Sequence, residues 1–239
     1  MSELKSPSTK LLVSVANAAE ALVAVENGAQ LIDVKDPTRG SLGAASPAVC
    51  QAVLAAVGER VPVSAALGEL QDLNVNSLAT QTTGMRFAKV GLAGFANDAN
   101  WEQRWVEWRR ALPEKVNPVA VMYADWQTAA AIAPAHVMSK IVMQQRCRVV
   151  LIDTCDKSLG SLLQIWKGEE LQRICQLIRD AGATLVLAGS LRLTNLPQVL
   201  PLHPDYVAVR GAVCRGSRAG QLTGALVREW ADALSTSQK

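Results

Sequence analysis

The chain has 239 residues, 49% of them hydrophobic and only 4% aromatic, with a formal net charge of +3. A charge this small, with no basic run and no basic patch interleaved with aromatics, argues against a nucleic-acid partner. No apolar stretch reaches the roughly 18 residues of a membrane span, and the polar opening from Met1 to Lys10 lacks the apolar core of a signal peptide. A soluble cytoplasmic protein with no membrane partner is expected. Cys50, Cys147, Cys155, Cys175 and Cys214 show no disulfide spacing and read as free thiols. The two histidines, His136 and His203, are too distant in sequence to suggest a His-based zinc site, so no metal is expected.

In chain order, a first apolar run, Leu11–Val15, precedes Ala16–Asn27, whose apolar residues recur at helical spacing. Leu31–Lys35 follows Gly28-Ala29 and leads into a long Gly-rich loop from Asp36 to Gly43. A helix is predicted over Pro47–Val57, with Ser46 as its cap and Pro47 in its first position. Val61–Ala66 and Arg86–Gly91 are the next strands. Asn100–Ala111 is then a helix carrying Trp101, Trp105 and Trp108 on one stripe. Pro118–Ala124 and Arg148–Asp153 continue the strands, and Leu171–Ala181 is helical. Thr184–Ala188 and Tyr206–Arg210 complete eight apolar runs, before a last helix over Leu222–Leu234.

Eight strand–helix alternations predict an α/β fold, a closed parallel (β/α)8 barrel of the TIM type. One domain is expected over residues 1–239, with 1–9 a flexible N-terminal segment. The competing open, doubly wound sheet would want a G-x-G-x-x-G fingerprint after the first strand, and Val13-Ser14-Val15-Ala16-Asn17 has none. The tryptophan stripe predicts helix packing or a subunit contact, which leaves a homo-oligomer open.

Active sites of such barrels lie at the C-terminal ends of the strands, so the strand-end residues carry the functional reading. Residues two apart in a strand share a face. Ile32 and Val34 would pack outward on helices, while Asp33 and Lys35 would both point into the barrel. Two opposite charges there need each other or a ligand. Lys89 stands among apolar neighbours at the end of the fourth strand, Asp153 ends the sixth, and Lys157 follows it on the loop above the mouth. A lysine clustered with other cations and partly desolvated has a lowered pKa and can attack a carbonyl to form an imine. A second lysine can then move protons at the adjacent carbon.

Two places suit an anion. Gly189-Ser190 after the seventh strand and Arg210-Gly211 after the eighth occupy the usual phosphate position of these barrels. The loop after the second strand, with Arg39 and Ser41, is a second candidate and is long enough to act as a mobile lid.

At these residues the chain resembles the (5-formylfuran-3-yl)methyl phosphate synthase family, the furan-forming enzymes of methanofuran biosynthesis and of the related pathway in C1-using bacteria. The stretches that carry the resemblance are Asp33-Val34-Lys35-Asp36-Pro37 with Gly40-Ser41-Leu42-Gly43-Ala44, then Lys89-Val90-Gly91-Leu92, Asp153-Thr154 with Lys157, and Gly189-Ser190-Leu191, within a match from about Leu11 to Leu234. The resemblance implies a lyase that condenses two glyceraldehyde 3-phosphate molecules, with loss of phosphate and water, and that needs no metal or organic cofactor. It places the Schiff-base lysine at Lys35, the proton-transferring lysine at Lys89, and a further acidic and basic pair at Asp153 and Lys157. The residues by themselves leave other readings open: a metal-free phosphosugar aldolase or isomerase, a non-catalytic phosphometabolite-binding barrel, or more remotely a flavin-binding one.

Overall fold

The computed structural model describes residues 8–73 and 75–236. Of the segment 1–9, expected to be flexible, residues 1–7 lie outside the described residues; the hydroxyl of Thr9 donates to Pro204 O at 2.8 Å. Eight parallel strands close a barrel in chain order: β1 (Lys10–Val15), β2 (Leu31–Val34), β3 (Val63–Glu69), β4 (Phe87–Gly91), β5 (Asn117–Tyr123), β6 (Val149–Asp153), β7 (Thr184–Leu187) and β8 (Tyr206–Val209), with β8 pairing back onto β1. Each starts within one residue of the run read from the sequence, except β3, which starts two residues later and continues to Glu69.

The helices form because their caps and faces are in place. Asn17 Oδ1 accepts Glu20 N at 3.0 Å and opens α1 (Ala18–Glu26). Ser46 Oγ accepts Val49 N at 3.3 Å ahead of Pro47 and opens α2 (Pro47–Val57). Then come α3 (Val75–Thr82), α4 (Trp101–Ala111), the single turn α5 (Pro134–His136) running on as a π-helix over Val137–Gln144, the short α6 (Leu162–Ile165), α7 (Glu169–Asp180), the short α8 (Leu196–Val199) and α9 (Gly224–Thr236). Among the described residues no helix is long and apolar enough to cross a membrane.

Strand alternation divides the core in two. Leu11, Val13, Ile32, Val34, Val150 and Ile152 belong to the larger layer between barrel and helices. Leu12, Leu31, Val119, Val121, Leu151 and Val186 fill the barrel itself. Strands buried on both faces explain the near-continuous apolar runs of the sequence. The inner layer changes character toward the C-terminal ends of the strands: Ser14, Asp33 and Ser64 stand side by side in register on β1, β2 and β3.

The tryptophan stripe serves helix packing. Trp105 and Trp108 are buried under α4 with ring centroids 5.6 Å apart, and Trp101 packs half-buried against the same core. Two of the three rings of the stripe are therefore taken up inside the fold. Replacing Trp105 by Ala is expected to cost about 3–5 kcal/mol of unfolding free energy, read as a lowered midpoint in a urea titration followed by far-UV circular dichroism.

Candidate active site

A cavity of about 480 Å³ opens among the C-terminal ends of the strands and runs down into the barrel. Its depth is apolar, lined by Leu12, Leu31 and Val119, while its upper wall carries Asp33, Lys35, Lys89, Asp153 and Lys157. The structure thus brings together the five charged residues singled out from the sequence.

Their pairing differs from the expected one. Asp33 and Lys35 do share the inward face, but Asp33 ion-pairs with Lys89, which reaches it across from β4. The same carboxylate accepts Ser14 Oγ at 3.1 Å and the Ser64 hydroxyl, so both oxygens are satisfied. Asp33 and Lys89 are 2% and 4% exposed. At that depth an unpaired charge would be expensive, and the two serines complete the hydrogen bonding that makes a buried pair tolerable. Asp153 pairs instead with Lys157, four residues on, at 2.6 Å. Burial by itself pushes the Asp153 carboxyl up, but Lys157, Lys35 and the N–H of Thr154 at 2.8 Å hold it below the usual carboxylate range.

Lys35 is left over. Its ammonium makes one long hydrogen bond, 3.4 Å to Ser41 O, and forms no ion pair among the described residues. Burial draws its pKa down to about 8; Asp153 and Asp33 oppose that pull at a distance, and Lys157 and Arg218 add to it. An amine in that state is a nucleophile at near-neutral pH.

Other expected positions take different parts. The hydroxyl of Ser41 is turned inward, 2.8 Å from Thr154 O and 3.2 Å from Asp153 Oδ2, so it orients the β6 carboxylate and is not free for a phosphate. Arg39 is exposed, with its guanidinium on Ala44 O at 3.3 Å and outside the cavity wall. Arg210 is held by Glu20 of α1 in an ion pair and donates further to Ser14 O, Arg218 O and Gly220 O, so its donors are consumed inside the fold. Gly189, Ser190 and Gly211 do line the cavity rim. Ser190 has φ +54°, a left-handed conformation uncommon for a residue with a side chain and characteristic of strained functional loops.

The loop after β2 is not a free flap. It closes on itself through Asp36 N to Gly43 O at 2.9 Å, and it is stitched to β3 through Gly68 N to Leu42 O at 2.8 Å, with Leu42 buried in the mouth. Gly43 is required there, since a Cβ would lie 2.3 Å from Asp36 O.

Three features escaped the sequence reading. Glu69, at the end of β3, accepts Tyr123 OH at 2.6 Å and Ala93 N at 2.9 Å, and burial raises its carboxyl above the ordinary range against both hydrogen bonds. This pair lies over Gly91, where a Cβ would come within 2.0 Å of the carboxylate. Asp125 receives Cys155 N and Asp156 N, each at 2.7 Å, and so fixes the loop that presents Lys157. Arg218, from the loop after β8, reaches over the cavity to donate to Gly40 O at 2.8 Å. Only the charges of these residues are visible in the sequence; each partner is at least 24 residues away.

Fold and mouth together define a class: a (β/α)8-barrel enzyme scaffold with a lysine-based, ion-paired pocket at the C-terminal ends of its strands. The family model described as 4-HFC-P synthase matches residues 11–231. The (5-formylfuran-3-yl)methyl phosphate synthase of Methanopyrus kandleri is 36% identical over 239 residues, covering 95% of this chain and 99% of that protein. The enzyme of the same name from Methanosarcina barkeri is 32% identical, covering 92% and 97%. The chain belongs to this family of (5-formylfuran-3-yl)methyl phosphate synthases, and the family is one of enzymes. Among solved structures, phosphoribosyl anthranilate isomerase from Thermotoga maritima superposes with a TM-score of 0.67 at 15% identity, covering 95% of this chain and 99% of that one, which speaks for the shared barrel alone.

The lowered pKa of Lys35 has a thermodynamic counterpart. With about 8 in the folded chain and 10.5 as the ordinary value, folding loses stability as pH falls from about 10.5 to about 8, and the penalty is complete below that. Lys35→Met is therefore expected to stabilise the protein at pH 7 by roughly 1–3 kcal/mol, with the advantage shrinking as pH rises from 8 toward 10. Denaturant titrations of both proteins at pH 7 and pH 10 check this; a destabilised variant at pH 7 contradicts it.

Proposed function

We propose that this barrel condenses two molecules of glyceraldehyde 3-phosphate through a Schiff base on Lys35 into 4-(hydroxymethyl)-2-furancarboxaldehyde phosphate, the furan precursor of a methanofuran-type cofactor, in the cytoplasm and without a metal or organic cofactor. The observation that carries the proposal is the state of Lys35: a buried amine, drawn down to about pKa 8, in a mouth where both other lysines already hold carboxylates. The names of the relatives supply the product.

The residues divide the work as follows. The neutral amine of Lys35 adds to the carbonyl carbon of one triose phosphate, and loss of water leaves the imine. Protonated, that imine acidifies the adjacent carbon. Lys89, ion-paired with Asp33, is the group that moves the proton at that carbon: it passes a proton to the Asp33 carboxylate and, as the free amine, takes the one from the adjacent carbon. The resulting enamine carbon attacks the aldehyde of the second triose. Asp153 and Lys157 form a second proton-transfer couple on the opposite side of the mouth, oriented by Ser41, for the eliminations of water and phosphate that aromatise the ring. The apolar depth of the cavity, at Leu12, Leu31 and Val119, excludes bulk water from the imine. The rim at Gly189, Ser190 and Gly211 is the proposed seat of the first phosphate.

Incubation with glyceraldehyde 3-phosphate and borohydride should add one reduced triose phosphate to the protein, mapped by peptide mass to Lys35. The same substrate without borohydride should generate a furan chromophore. An adduct on another residue, or none, sinks the imine; an adduct without a furan points to an aldolase or isomerase on this scaffold. The trapping rate should rise with pH and reach half its maximum near pH 8, because only the neutral amine reacts. Lys89→Met should retain the adduct while turnover falls on the order of 10²–10⁴-fold.

A further inference from the structure

The charges at the mouth do not cancel. Lys89 is matched by Asp33, Lys157 by Asp153 and Arg210 by Glu20. Three cations of the cavity wall, Lys35, Arg192 and Arg218, form no ion pair among the described residues, and of these Arg192 is exposed to solvent at the rim. Lys35 can relieve the imbalance by losing its proton; Arg218 cannot, because a guanidinium stays charged in proteins. A half-buried fixed cation facing a cavity calls for an anionic ligand.

Its placement is built rather than incidental. Arg218 sits in a small loop closed by the antiparallel bridge between Cys214 and Leu222. Arg210, anchored by Glu20, donates to Arg218 O at 2.8 Å and to Gly220 O at 3.3 Å, so the loop backbone is held from below by a residue that is itself immobilised. From a root beside Gly211 the side chain runs across the mouth to Gly40 on the β2 side, within electrostatic reach of both Lys35 and Asp153. One hydrogen bond to a backbone carbonyl uses one of its five N–H donors. The remaining fork suits a phosphate, which a guanidinium binds in bidentate fashion.

We infer that Arg218 is the specificity-determining residue that binds the phosphomonoester of the second triose, on the β2 side of the mouth and apart from the Gly189–Ser190 rim. The inference rests on the two-triose reading given above. It explains why the chain commits Arg210 to structure: with Glu20 neutralising that arginine, the free positive charge lies one loop further out, above Lys35.

The test compares the wild-type protein with Arg218→Gln and Arg218→Lys. Binding of inorganic phosphate is measured by calorimetry, the Lys35 adduct by borohydride trapping, and KM and kcat by furan formation from glyceraldehyde 3-phosphate. In Arg218→Gln phosphate should bind about tenfold more weakly or worse. The first adduct should form at close to the wild-type rate, while KM for furan formation rises at least as much as phosphate affinity falls. Arg218→Lys should recover part of both losses by restoring the charge. Unchanged phosphate affinity and unchanged KM in Arg218→Gln overturn the inference. So does a loss of adduct and turnover in proportion to a lowered melting temperature, which is the mark of a mere loop tether. If the wild-type protein itself gives neither adduct nor furan, the two-triose reading fails, and the calorimetry alone decides whether Arg218 is an anion site.

Discussion

The ion pair between Asp33 and Lys89 is the constraint on which the mouth is organised. Two charged groups almost without solvent contact, on strands β2 and β4, are stable together only because Ser14 and Ser64, in register on β1 and β3, satisfy the rest of the carboxylate. A buried pair of this kind contributes little net stability, but removing one member strands the other. It therefore fixes four adjacent strands relative to one another at the one level of the barrel where the filling changes from aliphatic to polar. With Asp33 so engaged, Lys35, on the same face two residues on, has no carboxylate of its own. The unpaired lysine is a by-product of the pairing.

The two cores make this arrangement affordable. The outer layer between strands and helices, with Trp105, Trp108 and Trp230 fully buried, carries most of the apolar burial that drives folding. The inner layer need only seal the barrel from below with Leu12, Leu31, Val119 and Val121. The upper end is thereby released from packing duty, and polar and ionised groups can be placed there at a cost the rest of the molecule absorbs.

Much of this was legible in the sequence, for reasons that can be located. Eight apolar runs separated by helical segments define a barrel because each run is buried on both faces. The period of two along Leu31–Lys35 puts Asp33 and Lys35 on the inner face without any knowledge of the neighbouring strands. What alternation cannot tell is which carboxylate meets which lysine. That depends on side chains reaching past a strand, as Lys89 does across β3, and on a salt bridge of i,i+4 spacing in an irregular loop, as between Asp153 and Lys157. The engagement of Arg210 was hidden for the same reason: its partner Glu20 lies 190 positions away and meets it only because β8 closes on β1. Arg218, Asp125 and the Glu69–Tyr123 couple are ordinary residues in the sequence. They acquire meaning only through loops whose course follows from hydrogen bonds such as Gly68 N to Leu42 O, which local propensity does not encode. The lid expected over residues 36–43 reflects the same gap: glycine content announced an unusual backbone path, and the path proved to be a tight closure.

The Arg210–Glu20 latch has one more consequence. It joins the last strand to the first helix, and from it hang the carbonyls of Ser14, Arg218 and Gly220. The pairing that closes the ring thus also sets the mouth. A chain cut short before β8 would leave β1 without its closing neighbour, and Glu20 and the carbonyl of Ser14 without the guanidinium that joins them.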